Sequence, residues 1–519
     1  MHEAQTMEWI DYIIMGIFAL AMIGIAVYTR SRSKSVNDFL LAGKKGLNGW
    51  MSAFSYGTTY FSAVIFIGYA GQFGQKFGLS SIWIGVGNAV LGALVAWLVL
   101  AKRTKNMTKR LEAKTMPEFF EKRYDSKSLK LVSAIIIFVF LVPYSASVYS
   151  GISSLFDILY DIPGWIVMIA LAVITSVYLF FGGYFATALS DFVQGIIMIV
   201  GVVLMFIFFM KHGNINWDIS KLVNFTFNGE NSGGLYGSTV SLIALILLTS
   251  IGVWGLPQTI HKYYAVRDKK AITQGVIVST AFALLIGVIA YFTGALSYFF
   301  PDDLANVGTN YSLIIPTMLK VVIPVGLTGV IAVLIVSASM STLSSVSLAS
   351  ASVVAVDLYK GAIDKKANDK KVNRVMRILC LVFIIISVTL AILNEKFGLT
   401  AIAYLMGISW GTLSGCFIGP FVIGLIWKRV TKKAAWASII SCLTLTVSLI
   451  FILGAFHPNN VDGTFGSILK NGVSCSPLIG VICMACSVII TIIVSLCTKK
   501  PSEATLYNAF EKPFEGEIK

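Results

Sequence analysis

The feature that most limits this chain is a succession of apolar stretches, each about as long as a bilayer is thick. Roughly 20 apolar residues cross the hydrocarbon core as a helix. By that measure thirteen spans are expected, at about 9–29, 49–72, 79–101, 131–157, 163–182, 187–210, 238–261, 271–299, 321–355, 376–393, 400–427, 434–455 and 477–497. The chain is 56% hydrophobic and only 13% charged, whereas soluble domains carry about 25% charged residues. An all-α polytopic membrane protein is expected, one transmembrane domain over residues 1–519. The net charge of +15 is then a matter of sidedness, with no nucleic-acid partner implied.

The basic residues supply that sidedness. The loops after spans 1, 3, 7, 9 and 11, with the C-terminal tail, hold 34 of the 40 Lys and Arg; the exceptions are Lys76, Lys211, Lys221, Lys320, Lys396 and Lys470. Positive loops face the cytoplasm. A multi-pass cell-membrane protein with its N-terminus outside and its C-terminus inside is expected. The opening Met-His-Glu-Ala-Gln-Thr-Met-Glu lacks the basic start of a cleaved signal, so the first span is read as a retained anchor. Lys102–Lys130 reads as a basic cytoplasmic segment with a short surface helix near Met116-Pro117-Glu118-Phe119-Phe120, suited to anionic lipid. Residues 213–237 and 456–476 read as external loops, and the tail from Thr498 as polar and mobile. Asn224-Phe225-Thr226 fits a glycosylation acceptor, a pattern too common to carry weight.

Enzyme chemistry is not expected. There is no phosphate-cradling G-x-x-x-x-G-K-[ST] and no H-E-x-x-H. The seven cysteines, Cys380, Cys416, Cys442, Cys475, Cys483, Cys486 and Cys497, lie mostly in apolar runs. Cys483 and Cys486 have C-x-x-C spacing but lack the second pair of a zinc site. All seven read as small core residues.

The chemistry-bearing stretch is Ser337–Ser345. It lies inside Val321–Val356, which carries no charge. Ala338, Ser341, Thr342 and Ser345 fall at i, i+3, i+4 and i+7 and share one helix face; Ser344 lies at its edge. Uncharged hard oxygens suit a small monovalent cation. Such hydroxyls also bond back to their own helix or let helices pack closely, and spacing alone favours that reading. Asp191, near the start of span 6, is either an acid marking an ion path or a helix cap. Two spans look broken. Span 2 carries Gly57-Thr58-Thr59, and span 7 carries Gly252-Val253-Trp254-Gly255-Leu256-Pro257-Gln258. Interrupted spans mark transporter binding sites, although a packing kink leaves the same trace.

Three separated motifs agree. Phe181-Gly182-Gly183 with Ser190-Asp191-Phe192-Val193-Gln194, the run Ala338–Ser344, and Gly419-Pro420 followed by Gly424–Ala435 together resemble the sodium/solute symporter family. The late motif has Ala434-Ala435 where the family has Gly-Ala. Gly255–Gln258, the run from Ala265 to Ala271 and Ile315–Met318 look nearest to the pantothenate and proline branch. The resemblance covers spans 2 to 12. It implies a LeuT-like fold of two inverted five-helix repeats, about 49–210 and 238–427, flanked by helices 9–29, 434–455 and 477–497.

The resemblance also implies sodium as the coupling ion. Its main site would use the carbonyls of Thr58, Phe61 and Ala338 with the hydroxyls of Ser341 and Thr342. A second site, found in some members, would match Asp191, Ser341, Ser344 and Ser345. The solute pocket would lie between spans 2, 3, 7 and 11, with Thr59, Tyr60, Ser62, Trp254, Gln258 and Trp410 as candidates, each more readily read as core packing than as a contact. Sugar carriers of the family place an acid where Ile82 stands; proline carriers have aromatic residues where Thr249 and Val253 stand. The expected function is sodium-coupled import of a small organic acid or amino acid by alternating access. A sugar or sialic-acid symporter is the alternative. A membrane sensor or channel is the reading from another class, since fold does not fix function. A sensor would carry a long cytoplasmic domain, and the tail has about twenty residues. The expected partners are sodium, a small-molecule solute and the lipid bilayer, with a monomer as the working state.

Overall fold

The computed structural model describes residues 9–30, 35–43, 46–223, 235–308, 310–324, 326–398, 402–514 and 516–518. The glycosylation pattern at 224–226 lies outside them. The described chain is helical, with one isolated bridge between Leu47 and Val266.

Eleven helical runs are long and apolar enough to cross a membrane, against the thirteen read from the sequence. Two of the eleven are of double length: Val64–Arg110 has 47 residues and Gly164–Lys211 has 48. At 1.5 Å per residue each is about 70 Å long, over twice the roughly 30 Å of hydrocarbon. Each is interrupted at a glycine with positive φ, Gly78 at 54° and Gly183 at 60°. At Gly183 a Cβ would stand 2.7 Å from the Phe39 ring, so both the backbone angle and the neighbour require glycine there.

Both breaks expected from Gly and Pro are present. Span 2 starts as helix Gly49–Tyr60, capped by the Asn48 side chain, and ends at Phe61 (φ −100°, ψ 95°). It resumes as a wide turn, Val64–Tyr69, and then Ala70–Phe77. Span 7 runs as helix Ser238–Ile251, tightens over Gly252–Gly255, extends at Leu256 (ψ 122°) and restarts as Pro257–Tyr264. Pro257 takes the first helical position, where no N–H is needed.

Span 9, Thr328–Ser352, is the centre. In its apolar window 89% of residues are buried, against 22% in Trp9–Thr29 at the rim. It packs on Gly164–Lys211, Lys127–Tyr160 and Gly49–Tyr60. Asp11 fixes its start by accepting from the Gly329 N–H (2.6 Å) and the Thr328 hydroxyl (3.0 Å). A carboxylate at a helix N-terminus meets free N–H groups and the positive dipole end.

The cytoplasmic expectations need correction. Helix Met116–Tyr124 is not a lipid-facing surface helix: Phe119, Phe120 and Arg123 are fully buried. Phe119 and Phe120 meet Phe421 and Phe417 at 5.0 and 5.5 Å. The Arg123 guanidinium donates to the carbonyls of Gly424 and Trp427, both at 3.1 Å. Span 11 ends there in a wide turn, Gly419–Ile423, and its terminal carbonyls need donors. The tail also docks. Asn106 and Ile518 exchange side chain-to-backbone bonds of 2.9 and 3.2 Å, Glu517 pairs with Arg110, and Phe510 lies 5.0 Å from the Arg123 guanidinium. Five cysteines are buried, Cys486 is half-buried, and Cys497 is exposed, so the core reading fails for Cys497.

Candidate functional site

The break in span 2 lies against the middle of span 9, and four of the five oxygens expected at the main site converge there. The Ser341 hydroxyl is 3.1 Å from the Thr58 carbonyl and 3.2 Å from that of Ala338. The Thr342 hydroxyl is 3.3 Å from the Thr58 carbonyl and 3.4 Å from that of Thr59. All these residues are buried. A hard cation about 2.4 Å from each ligand separates adjacent octahedral oxygens by about 3.4 Å, so the spacing fits an ion of sodium's size. Phe61 is the first residue beyond the helix end and its N–H still bonds to Gly57; its carbonyl makes none of these contacts.

Of the second expected set only Asp191 and Ser345 come together, and they do so around Lys262; Ser341 stays at the main site. Lys262, on half-helix Pro257–Tyr264, sends its ammonium to the Ser345 hydroxyl (2.8 Å), the Ser55 hydroxyl (2.9 Å) and Asp191 Oδ2 (3.4 Å). Ser55 donates to the same carboxylate oxygen at 2.5 Å. Asp191 is therefore an ion-pair partner deep in the helix run, not an N-cap. Ser344 turns away and donates to the carbonyl of Ser341 at 3.0 Å.

The solute candidates divide. Thr59 bonds to Ser345 at 2.8 Å and belongs to the lysine cluster. Ser62 accepts from the Val64 N–H at 3.3 Å and caps the restart of span 2. The Trp254 indole donates to the Leu91 carbonyl at 3.0 Å. Tyr60 donates to the Thr249 carbonyl at 2.6 Å, and its ring lies 6.1 Å from that of Trp410. The Tyr144 ring also meets that of Trp410, edge-on at 5.5 Å. Asn88 accepts from Thr249 and Ser250 at 2.8 and 3.1 Å. The Trp410 indole N–H, the Tyr144 hydroxyl, the Asn88 amide nitrogen and Gln258 Oε1 are buried without a partner among the described residues. Unpartnered buried polar atoms occur elsewhere in the bundle too, Tyr149, Thr175 and Thr491 among them, so they do not by themselves locate a ligand.

Lys262, Asn88 and Tyr144 were missed. Lys262 was counted with the loop after span 7, yet it stands only five residues past Pro257, inside the half-helix. Asn88 is an amide in an otherwise apolar span, the kind of residue that marks a polar contact. Tyr144 follows Pro143 and gave no signal by spacing.

Known proteins agree with this architecture. The model of the sodium:solute symporter family matches residues 39–442. The osmoregulated proline transporter OpuE of Bacillus subtilis is 29% identical over 506 residues, 96% of this chain and 98% of that protein. A sodium/proline symporter of Staphylococcus aureus is 27% identical over 509 residues, 95% and 94% of the two chains. Among solved structures, a substrate-bound, outward-open Na+-coupled sialic acid symporter superposes with a TM-score of 0.76 at 18% identity, over 96% of this chain and 99% of that one. A manganese transporter of Eremococcus coleocola gives 0.52 at 13% identity, over 89% and 99%. These two likenesses concern the fold alone.

Proposed function

The chain belongs to the sodium:solute symporter family, and from that premise we propose that its solute is a small zwitterionic amino acid, with proline the first candidate. It is a sodium-coupled symporter of a small solute. The observation that carries the choice of solute is the pair of relatives, matched over at least 94% of their length, that transport proline. The chemistry of the candidate residues is compatible with it. Tyr60, Asn88, Tyr144, Gln258 and Trp410 carry no charge, which suits a ligand of zero net charge. The interrupted backbone of spans 2 and 7 frees N–H groups for a carboxylate and carbonyls for an amine. Ile82 in place of an acid argues against a sugar; Thr249 and Val253, where proline carriers have aromatic residues, leave the choice among amino acids to the competition test below.

In this reading sodium is held by Thr58, Phe61, Ala338, Ser341 and Thr342. The ion ties the end of helix Gly49–Tyr60 to span 9, and its departure frees the two to separate. Each positive charge moved inward gains about 2.3 kcal/mol per 100 mV. Residues 49–210 and 238–427 act as inverted repeats; each begins with a broken span, as that symmetry requires. The basic loops face the cytoplasm, with the N-terminus outside. The working state in this reading is a monomer.

The test is uptake of radiolabelled proline by reconstituted protein under an inward sodium gradient. Uptake is expected only with sodium, and unlabelled proline should compete. Competition by pantothenate, galactose or sialic acid but by no amino acid would overturn the assignment.

A further inference from the structure

Two of the four residues expected to hold a second sodium ion, Asp191 and Ser345, together with Ser55, surround a cation that the chain itself supplies. We propose that the Lys262 ammonium fills the position between Asp191, Ser55 and Ser345 as a tethered cation, so that the transporter couples its solute to one sodium ion. The proposal rests on the main-site reading above only for where that one ion binds.

Coordination is the first argument. An ammonium has three donors, and three oxygens meet it: Ser345 at 2.8 Å, Ser55 at 2.9 Å and Asp191 at 3.4 Å. The face of the Tyr184 ring, 5.2 Å away, covers it further. A sodium ion bound to the same oxygens would have to displace it.

Charge is the second. The Asp191 side chain is fully buried and that of Lys262 is 1% exposed. One carboxylate and one ammonium leave the cluster neutral. A sodium ion added to it would leave an uncompensated positive charge in a dry interior, which burial penalises. Without the lysine the balance reverses: the buried carboxylate would be unpaired, and a mobile cation would restore neutrality.

Connectivity is the third. Lys262 stands on the half-helix of span 7, Asp191 on span 6, Ser55 on the first half of span 2 and Ser345 on span 9. One ammonium therefore joins four elements, the same structural service a bound ion would give. The Thr59–Ser345 bond of 2.8 Å links this cluster to the residue beside Thr58 of the main site.

Counting bound 22Na+ on purified protein by scintillation proximity tests this without relying on transport. The wild type is expected to bind one ion per chain with a Hill coefficient of one. Asp191→Asn should still bind one, and Thr342→Ala should bind it several-fold more weakly. Lys262→Ser should bind two, with the Hill coefficient rising toward two, and Lys262→Ser combined with Asp191→Asn should return to one. Lys262→Arg keeps the charge and should keep the count at one. Two ions on the wild type would overturn the proposal. So would an ion count on a folded Lys262→Ser protein equal to that of the wild type, or loss of the wild-type ion through Asp191→Asn and not through Thr342→Ala. Should Lys262→Ser fail to fold, the wild-type count and the Asp191→Asn arm still decide. A wild type that binds no sodium would refute the main-site reading instead, and one ion gained by Lys262→Ser would then still support the tethered cation.

Discussion

The hydroxyls of Ser341 and Thr342 separate two uses of serine and threonine in a buried helix. Ser339 donates to the carbonyl of Ile335, and Ser352 to that of Ala349, inside their own helix. Thr342 instead reaches across to Thr58 and Thr59 of a different span. A crossing hydroxyl either shares a ligand with the facing backbone or bonds the two helices directly, and substitution separates the two. Thr342→Ala should weaken sodium binding by about 1–2 kcal/mol, roughly 5- to 30-fold, while solute affinity at saturating sodium stays unchanged. Thr342→Ser should restore it. Uptake with an unaltered sodium dependence in the alanine variant would leave the Ser/Thr row as packing. The row was legible in the sequence because helical spacing alone puts its members on one face. Lys262 was not. Its partners Ser55, Asp191 and Ser345 are 207, 71 and 83 residues away, and no local pattern announces a pairing that only tertiary packing creates.

At the level of elements, the breaks in spans 2 and 7 could be read because glycine and proline act on the backbone directly. Helix-to-helix seams could not, since a glycine's facing neighbour is set by packing. Gly85 of span 3 meets Gly287 of helix Lys269–Ala295 backbone to backbone: a Cβ on Gly85 would stand 2.6 Å from the Gly287 carbonyl carbon. Backbone cannot rotate out of the way as a side chain can, so the helices would have to part. Gly85→Val is expected to cost about 1–3 kcal/mol, the usual price of overpacking, read as a lower unfolding temperature in detergent. Gly16→Ala has nothing within 4 Å and, inside a helix, should not lower that temperature; an equal loss in the two would refute the seam. The docking of Met116–Tyr124 was hidden for a related reason. Basic residues beside an aromatic pair suit either anionic lipid or the exposed carbonyls of a neighbouring span, and the sequence does not say which surface is nearby.

Whole-molecule topology turns on the two double-length runs. Eleven crossings and thirteen crossings both put the termini on opposite faces, so the position of the ends cannot distinguish them. The segments between the runs can. If Val64–Arg110 crossed once, the basic stretch around Glu112–Lys122 would lie outside, against the rule that positive loops stay in. If Val64–Arg110 and Gly164–Lys211 each turn back at the interrupted glycine, every strongly basic loop falls on one side. The accessibility of introduced cysteines decides between these arrangements. Cys497 is the one cysteine that is exposed among the described residues, so a Cys497→Ser background is suitable. In that background Asp161→Cys and Asp462→Cys, both at exposed positions, should react with an impermeant maleimide on intact cells. Glu112→Cys and Lys366→Cys, also exposed, should react only after permeabilisation. Lys366 and Asp462 keep their sides under either count and fix the orientation. Glu112 and Asp161 exchange sides if each long run crosses only once, so labelling of Glu112→Cys from outside, with Asp161→Cys silent, would establish eleven crossings and dissolve the paired repeats with them.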